Sequence, residues 1–481
     1  MSTGPHGWPA RYPDDPQGIG EVPGYEFEVP PLAARWNRHD DLAGSAKPLS
    51  QFRQPAQQQP PAPSMPARAG SAVLAALRAR NWVTGLAFPI LAAVAVGIAA
   101  VVIVGAGGSG SAAPSALAAG FPPARLAGAD FTGATATSPV VLNAIAASAA
   151  SEVVAGSANG RPALWVSADG GSAWSRAPLT GAAVLTMAGG GELAGVAHGA
   201  AGWLAVGTTL GRKAGPVVAG SPDGRSWTVA AGASALPGSG FGTVAAAVAA
   251  GTAGYVIVGH QRMAGAAQAA AWYSTGRTDW RRAVVTQASG QQISAVTATA
   301  QGFTAVGSAG VNPVVWLSAT GRTWQPKTLP LPDGAVRAAL TYAAAVGPAV
   351  VTAGTQVSAA GESSPFAEFS ADAGVTWRQA RLPVPAAGMA VTALTAAGGG
   401  FIATGTYGGA GGEDVAVWTR SSSAPADSAW AVVTPQGTGL AGAGTQVITA
   451  LTADGVTLTG VGFTAAFGTR NPTLWQSPLR D

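Results

Sequence analysis

The sequence contains no cysteine and few charged residues, and both shortages exclude classes of function. Without cysteine, the chain has no disulfide framework, no thiolate nucleophile and no cysteine-ligated metal site. Charged residues make up 10% of the 481 residues, and 26 Lys and Arg nearly balance 22 Asp and Glu. Nucleic-acid binding needs basic residues concentrated on one patch, so a net charge of +4 gives it no support. The length allows roughly two to four ordinary domains or one large repeat architecture.

The first 80 residues have the composition of a disordered tail. Pro, Gln, Ala and Gly dominate residues 1–80, and such a segment buries too little apolar surface to offset its chain entropy. Residues 24–36 depart from this composition, because aromatic side chains stand there among charges. This stretch has the features of a short docking motif for a cytoplasmic partner. A solvated tail with scattered aromatic residues is the alternative.

Residues 81–105 are predicted to form a transmembrane helix. The 24 residues from Trp82 onward carry no charge, and at about 1.5 Å per residue they are long enough to cross a hydrocarbon core of about 30 Å. A buried core helix is the alternative. Arg68, Arg78 and Arg80 precede the span, whereas no basic residue follows it until Arg125. The positive-inside rule then predicts a single-pass membrane protein with a cytoplasmic N-terminus and an extracellular C-terminal part.

The charge-free Gly, Ala and Ser residues at 106–120 are predicted to be a flexible stalk. Residues 121–481 contain a repeat whose clearest mark is a tryptophan after a turn. The tryptophans that follow this turn, from Trp174 to Trp430, are separated by 53, 53, 44, 53 and 53 residues. Short strands rich in Val, Thr and aromatic residues, punctuated by Gly, recur within each unit. A repeat of this length with four short strands is typical of a β-propeller blade.

Seven copies of the unit predict an all-β fold with a single seven-bladed propeller. Six or eight blades are the alternatives if the degenerate copies are misread. The last copy stops at Asp481 before a good fourth strand. We therefore expect residues 121–135 to supply the missing strand, which would join the two ends of the repeat and leave no open sheet edge.

The turn before each tryptophan follows the pattern Ser-x-Asp-x-Gly-x-x-Trp. Two copies match at every defined position, and three others are shorter or lack the Asp. The residues concerned are Ser167, Asp169, Gly171, Trp174, Ser221, Asp223, Trp227, Ser274, Trp280, Ser318, Trp324, Ser370, Asp372, Gly374 and Trp377. We expect the Asp to accept hydrogen bonds from its own turn, the Gly to adopt a positive φ and the Trp to pack between strands.

This pattern resembles the Asp box, or BNR repeat, of sialidase-like propellers. The resemblance covers roughly residues 120–481 and, with the anchor in front, the chain is similar to envelope proteins of actinobacteria. It implies that the box hairpin joins the third and fourth strands and faces away from the sialidase active site. Fold resemblance says little about activity.

A catalytic site is not expected. The resemblance implies an arginine triad, a Tyr/Glu pair and an acid Asp for a sialidase, but no Arg-Ile-Pro motif is present and Arg161-Pro162 stands in a different context. Glycoside hydrolysis needs two carboxylates flanking one bond, whereas the adjacent Glu413 and Asp414 are expected to be solvated. Only His198 and His260 lie beyond the predicted anchor, too few for a histidine-based zinc site. No metal and no cofactor are predicted.

A partner is expected on the face opposite the Asp boxes, where turns between second and third strands meet the blade-to-blade connections. The basic residues predicted there are Arg161, Arg212, Lys213, Arg262 and Arg470. Glu362, Glu413 and Asp414 fall on the fifth and sixth copies. This distribution predicts a polarised face whose basic half meets an acidic ligand or protein. Ordinary solvated loop charges are the alternative.

Two classes of function remain open from the sequence. The first is a non-catalytic, membrane-anchored extracellular propeller that acts as a protein-interaction or assembly scaffold at the cell envelope. The second is a divergent glycan-binding protein or sialidase-like glycoside hydrolase. Most tryptophans belong to the repeat and are expected to be buried, which disfavours an exposed glycan platform.

Overall fold

The computed structural model describes residues 123–124, 140–181, 190–211, 214–231, 235–263, 265–286, 290–384, 388–408, 412–433, 440–466 and 469–479. Every regular element in these ranges is a β-strand. The tail, the membrane span and the stalk predicted for residues 1–120 lie outside the described residues. Within the described ranges, no helix of the length and apolarity needed to cross a membrane is found.

The strands form seven sheets, which we call blades 1 to 7 in chain order. An initial strand, β1, covers Pro123–Ala124. Blade 1 contains β2 (Val140–Ala147), β3 (Glu152–Ala158), β4 (Arg161–Ser167) and β5 (Ser175–Arg176), and is followed by β6 (Leu179–Thr180). Blade 2 contains β7 (Gly191–Gly199), β8 (Gly202–Thr209), β9 (Pro216–Ser221) and β10 (Trp227–Ala231). Blade 3 contains β11 (Thr243–Gly251), β12 (Gly254–Met263), β13 (Ala266–Ser274) and β14 (Arg281–Arg282), and is followed by β15 (Val284–Val285).

The remaining blades repeat this order. Blade 4 contains β16 (Gln291–Thr299), β17 (Gly302–Ala309), β18 (Asn312–Ser318) and β19 (Thr323–Thr328). Blade 5 contains β20 (Ala335–Val346), β21 (Ala349–Ser358), β22 (Ser363–Ser370) and β23 (Arg378–Ala380). Blade 6 contains β24 (Ala390–Ala397), β25 (Gly400–Gly408), β26 (Glu413–Ser421) and β27 (Ala431–Val433). Blade 7 contains β28 (Thr445–Ala453), β29 (Thr457–Ala466) and β30 (Thr469–Pro478).

The blades are arranged as a closed ring around their first strands. The first strand of each blade contacts the first strands of both neighbouring blades, and β28 of blade 7 contacts β2 of blade 1. The first strands therefore surround the axis, and the short fourth strands lie at the rim. This arrangement confirms the predicted all-β propeller with seven blades.

The missing strand of blade 7 comes from the other end of the repeat, as the sequence predicts. The short strand β1 pairs antiparallel with β30, so that Pro123 lies opposite Trp475 and Ala124 lies opposite Leu474. Because β30 runs like every third strand toward the Asp-box turns, β1 runs away from them. The chain thus enters the ring from the side on which the Asp boxes lie.

A β-bulge explains the glycine that recurs within the second strand of every repeat. Each first strand carries a bulge near its start, for example between Ile293 and Ala295 in blade 4. The bulge turns a carbonyl toward the glycine on the facing strand, and a Cβ at Gly307 would lie 2.0 Å from the oxygen of Gln292. The equivalent glycines are Gly156, Gly207, Gly259, Gly354, Gly405 and Gly462, where the corresponding distances are 1.9–2.2 Å. Any larger residue would collide with the neighbouring backbone.

In the even blades, the fourth strand or the residue before it is hydrogen-bonded to the segment that leaves the preceding blade. The sequence did not predict this difference between even and odd blades. The chain leaving blade 1 forms β6, which pairs in parallel with β10 of blade 2. The chain leaving blade 3 forms β15, which pairs in the same way with β19 of blade 4. In blade 6, the N–H of Trp430 donates to the carbonyl of Arg381 from the segment leaving blade 5, at 2.9 Å. The strands at the rim of the even blades are therefore covered by the preceding blade.

Candidate functional site

The ring has two faces that differ in what they display. Because neighbouring strands are antiparallel, the turns between second and third strands lie on the same face as the connections between blades; we call this the loop face. The Asp-box turns between third and fourth strands lie on the opposite face, which we call the box face. The first-to-second strand turns also lie on the box face.

The loops of the loop face are joined by backbone hydrogen bonds from blade to blade. The N–H of Gly191, at the start of blade 2, donates to the carbonyl of Gly160 in blade 1, at 2.8 Å. The same bond recurs between blades 2 and 3, between blades 3 and 4 and between blades 4 and 5, where Ala338 N donates to Val311 O at 2.9 Å. In blades 1 to 5, the described part of the loop face is therefore held together by main-chain hydrogen bonds.

The structure places the described members of the predicted basic group on this face, in different environments. Arg161 follows the turn of blade 1 and is exposed, and Arg262 near the end of β12 in blade 3 is also exposed. The guanidinium of Arg470 in blade 7 packs 3.5 Å from the ring centre of Phe463, and burial lowers its pKa. Arg212 and Lys213 lie outside the described residues.

The members of the predicted acidic group also lie in different environments. Glu362 is exposed in the turn of blade 5. Asp414, expected to be solvated, is only 8% exposed, and its Oδ1 accepts a hydrogen bond from the N–H of Gly442 at 3.0 Å. The prediction for Asp414 is wrong because the connection between blades 6 and 7 folds over this carboxylate. Its neighbour Glu413 is half-buried.

At the loop-face end of the first strands, the position just before the bulge is half-buried in six of the seven blades. These equivalent positions are Val141, Glu192, Val244, Gln292, Ala339, Ala390 and, more fully buried, Val447. Glu192 is the one carboxylate among these seven residues. Burial raises its pKa, and a hydrogen bond with Asn143 opposes the rise.

Two other buried carboxylates lie in different blades, at the box-face ends of their strands. Burial raises the pKa of Glu152 in blade 1 and that of Glu368 in blade 5, each to about 7. Glu368 occupies the position held by Trp165, Trp272, Trp316, Trp418 and Trp475 in other blades. Both lie at the box-face end of their blades, whereas Glu192 lies at the loop-face end of β7.

The Asp boxes form hydrogen-bonded turns that hold the box face. In blade 1, Ser167 Oγ donates to Asp169 Oδ1 at 2.7 Å and accepts from Gly171 N at 2.8 Å. Asp169 also accepts from Ala173 N at 2.9 Å, and this bond is the main cause of its lowered pKa. Trp174 is buried, and its Nε1 donates to the carbonyl of Gly171, whose φ is +84°.

The same turn recurs around Ser221, Asp223 and Trp227, and around Ser370, Asp372 and Trp377. The box that lacks Asp at Ser318 keeps the bonds from Gly321 N to the serine and from Trp324 Nε1 to Gly321 O. In blade 3, Ser274 donates instead to the carbonyl of Thr278, and Trp280 is buried. Apart from Trp280, whose buried Nε1 has no hydrogen-bond partner among the described residues, these residues form hydrogen bonds within their own turns.

In blade 6 an arginine replaces the box serine, which sequence analysis missed. Arg420 follows Trp418 by two residues, as the box serine follows the third-strand tryptophan elsewhere. Its guanidinium donates to the carbonyls of Ser428 and Pro425, both at 2.6 Å. It also lies 4.3 Å from the ring centre of Phe369 in blade 5. One cation thus holds a turn that is longer than an Asp box.

The two histidines beyond the predicted anchor are not brought together into a metal site. His198 lies in blade 2 and packs against Trp203, with ring centres 4.7 Å apart. His260 lies in blade 3, where burial and the charge of Arg262 lower its pKa to about 4. Among the described residues, no group of three or more His, Asp or Glu side chains is placed to bind a metal ion.

No protein-family model and no curated protein matches the chain. It is similar in structure to YCF48 bound to a D1 peptide, with 13% identity over 69% of this chain and 90% of that one and a TM-score of 0.40. It is also similar to Trypanosoma rangeli sialidase in complex with the inhibitor DANA, with 10% identity, 71% of this chain covered and a TM-score of 0.35. The match spans 54% of that sialidase.

Proposed function

We propose that the protein is a non-catalytic, membrane-anchored scaffold whose propeller lies outside the cell and binds an acidic protein through its loop face. The observation that carries this proposal is the direction of β1, which brings the chain into the ring from the box face. A stalk at residues 106–120 and an anchor at 81–105 would then lead to the box face. The loop face would point away from the membrane, toward partners.

The properties of the loop face favour binding over catalysis. In its described part, hydrogen bonds join the backbone of blades 1 to 5, so a partner that binds there would order little further chain. Arg161 and Arg262 are exposed there. Glu192 is the one carboxylate among the seven equivalent positions before the bulges of the first strands, whereas hydrolysis of a glycosidic bond requires a pair of carboxylates.

A glycan-binding function is the second candidate, and one feature favours it. A shallow pocket on the box face is lined by His198, Trp203, Asp223 and Arg225, among others. These residue types recur in sugar sites, but Trp203 is buried and packed against His198. Its ring therefore offers no open stacking platform. A glycan array and a hydrolase screen on the full chain would detect this alternative, and a specific sugar lost on Arg225→Ala would establish it.

The location is tested first, using the absence of native cysteine. Single-cysteine variants Ser45→Cys and Ser226→Cys are treated with a membrane-impermeant maleimide on intact cells. We expect Ser226→Cys, in an exposed turn of the box face, to be labelled and Ser45→Cys to be labelled only after lysis. The reverse pattern, or labelling of both, would contradict the proposed topology.

Binding is tested by reversing charge on each face in turn. Proteins co-purified with the full chain after crosslinking in its native membrane are compared between Arg161→Glu/Arg262→Glu and the box-face control Arg225→Glu/Arg322→Glu. We expect a specific protein partner to be lost only from the loop-face variant, with equal folding of both. Loss from the control alone would assign binding to the other face.

A further inference from the structure

A phenylalanine stands on the loop face between blades 2 and 3. Phe241 is 70% exposed, the largest exposed fraction of any large hydrophobic side chain in the described ranges. It lies at the tip of the connection that enters β11, in a part of the chain that is otherwise rich in Gly and Ser. Single exposed apolar residues are common on protein surfaces, so exposure alone assigns nothing to it.

The backbone that carries Phe241 is held from both sides. Within the turn, Thr243 N donates to Gly240 O at 3.2 Å, and Gly240 N donates to Thr243 Oγ1 at 3.0 Å. Gly242 N, directly after the phenylalanine, donates to Ala214 O of blade 2 at 2.8 Å. At the root of the connection, Leu236 is fully buried. The aromatic side chain is therefore displayed from a fixed position.

The hairpin of blade 3 continues this surface. Arg262 N donates to the carbonyl of Gly242 at 3.3 Å, which joins the hairpin to the turn of Phe241. The next residue, Met263, is 48% exposed, and its sulfur accepts from Gln261 Nε2 at 2.8 Å. Arg282 Nη1 donates both to Gln261 Oε1 and to Gly238 O, each at 2.9 Å. One guanidinium thus ties the hairpin to the connection.

The result is an aromatic ring, a thioether and an exposed guanidinium on one rigid edge. Ordering loops and side chains on binding has an entropic cost that weakens affinity. Here the backbone is already ordered in the unbound protein. Phe, Met and Arg are enriched in protein interfaces, and Arg is also enriched among the few residues that dominate the binding energy. A partner that fits this edge has an apolar group that contacts Phe241 and Met263. It also has a negative charge that complements Arg262.

We propose that Phe241, Arg262 and Met263 form the anchor of the loop-face interaction, and that its occupant is a protein segment with a carboxylate next to a large apolar side chain. This proposal rests on the proposed scaffold function and names the chemistry of its partner. The apolar side chain packs on Phe241 and Met263, and the carboxylate pairs with Arg262.

The test uses the full chain in nanodiscs and an array of 12-residue synthetic peptides, each with a central Leu or Phe flanked by Glu, Ser or Lys. We expect Glu-flanked peptides to bind best. Phe241→Ala should weaken that binding at least tenfold, and Met263→Ala should weaken it less. Arg262→Glu should shift the preference toward Lys-flanked peptides. Val456→Ala removes a side chain of equal exposure (69%) from the box face and should change nothing.

The outcomes separate this proposal from the scaffold function on which it rests. If Phe241→Ala binds the peptides and the native partner as well as the unaltered protein does, the anchor is overturned. If Arg161→Glu/Arg262→Glu still abolishes capture of that partner, the scaffold function survives. If neither set of variants affects capture, both fail. Binding of an oligosaccharide that depends on Phe241 would also overturn the proposal, because the occupant would not be a protein segment.

Discussion

Glu152 in the first blade accepts a hydrogen bond from the hydroxyl of Thr459 in the last blade at 2.7 Å, and the two residues are 307 positions apart in the chain. Nearby, Gln476 Nε2 donates to the carbonyl of Gly170 at 3.0 Å. Toward the axis, Thr449 Oγ1 donates to the carbonyl of Leu142 at 2.6 Å. Side chains therefore close the boundary between blades 7 and 1 in addition to the strand β1.

The first prediction concerns pH, because Glu152 is buried with one oxygen, Oε2, that has no hydrogen-bond partner. Burial raises the pKa of Glu152 from 4.5 to about 7, and the charges of Asp454 and Asp169 add to the rise. Well below pH 4.5 the carboxyl is protonated in both the folded and the unfolded state, so its burial does not lower the free energy of unfolding. As the pH rises from 4.5 toward 7, only the unfolded state loses the proton, and the free energy of unfolding falls. Above pH 7 this loss reaches its full value of about 3 kcal/mol.

Glu152→Gln should therefore raise the free energy of unfolding at pH 8 by up to about 3 kcal/mol and leave it nearly unchanged at pH 4. The amide keeps the acceptor for Thr459 and cannot ionise. Urea unfolding at the two pH values measures the effect, and Glu362→Gln at an exposed site is the matched control. An equal gain at both pH values would refute the account of Glu152.

The second prediction concerns the bulge and its glycine. Gly307→Ala should lower the free energy of unfolding by at least about 2 kcal/mol, because the new Cβ would collide with the carbonyl of Gln292. Gly276→Ala introduces the same methyl group where no atom lies within 4 Å and should change stability by less than about 1 kcal/mol. Equal unfolding midpoints for the two variants would contradict the role assigned to the bulge.

The third prediction concerns the arginine of blade 6. Arg420→Ala should cost about 2–3 kcal/mol of stability, because the carbonyls of Ala424, Pro425 and Ser428 lose part-buried hydrogen bonds to a charged donor. Arg420→Lys should recover only part of this, since a single ammonium lacks the planar fork of donors. Thermal unfolding compares both with Arg378→Ala, an exposed arginine on the rim of blade 5. If the lysine variant matches the unaltered protein, the fork is not what holds the turn.

The repeat could be predicted from the sequence because its signals are local. The spacing of Trp174, Trp227 and the later box tryptophans reports turns within single hairpins, and the missing fourth strand pointed to the other end of the repeat. The roles of Glu152, Asp414 and Arg420 could not be predicted in this way. Their partners come from another blade or from a connection that folds over them. Such long-range neighbours cannot be predicted from the sequence pattern of one strand.

The candidate site was predicted only in part for the same reason. Counting charges in the loops placed Arg161 and Arg262 on the loop face, but it did not distinguish them from Arg470, which packs on Phe463. Phe241 was missed altogether. The sequence contains one indication of its role. Phe241 is a large apolar residue inside a short Gly-rich connection, where polar residues are usual.

The central claim is that the loop face, not the box face, binds a protein partner. Single cysteines at Gly240→Cys, next to Phe241, and at Ser226→Cys on the box face carry the same photo-crosslinker, which is activated in intact cells. We expect a discrete crosslinked protein from Gly240→Cys, lost when Phe241→Ala is added, and none from Ser226→Cys. Adducts from Ser226→Cys alone, or equal adducts from both positions, would contradict it.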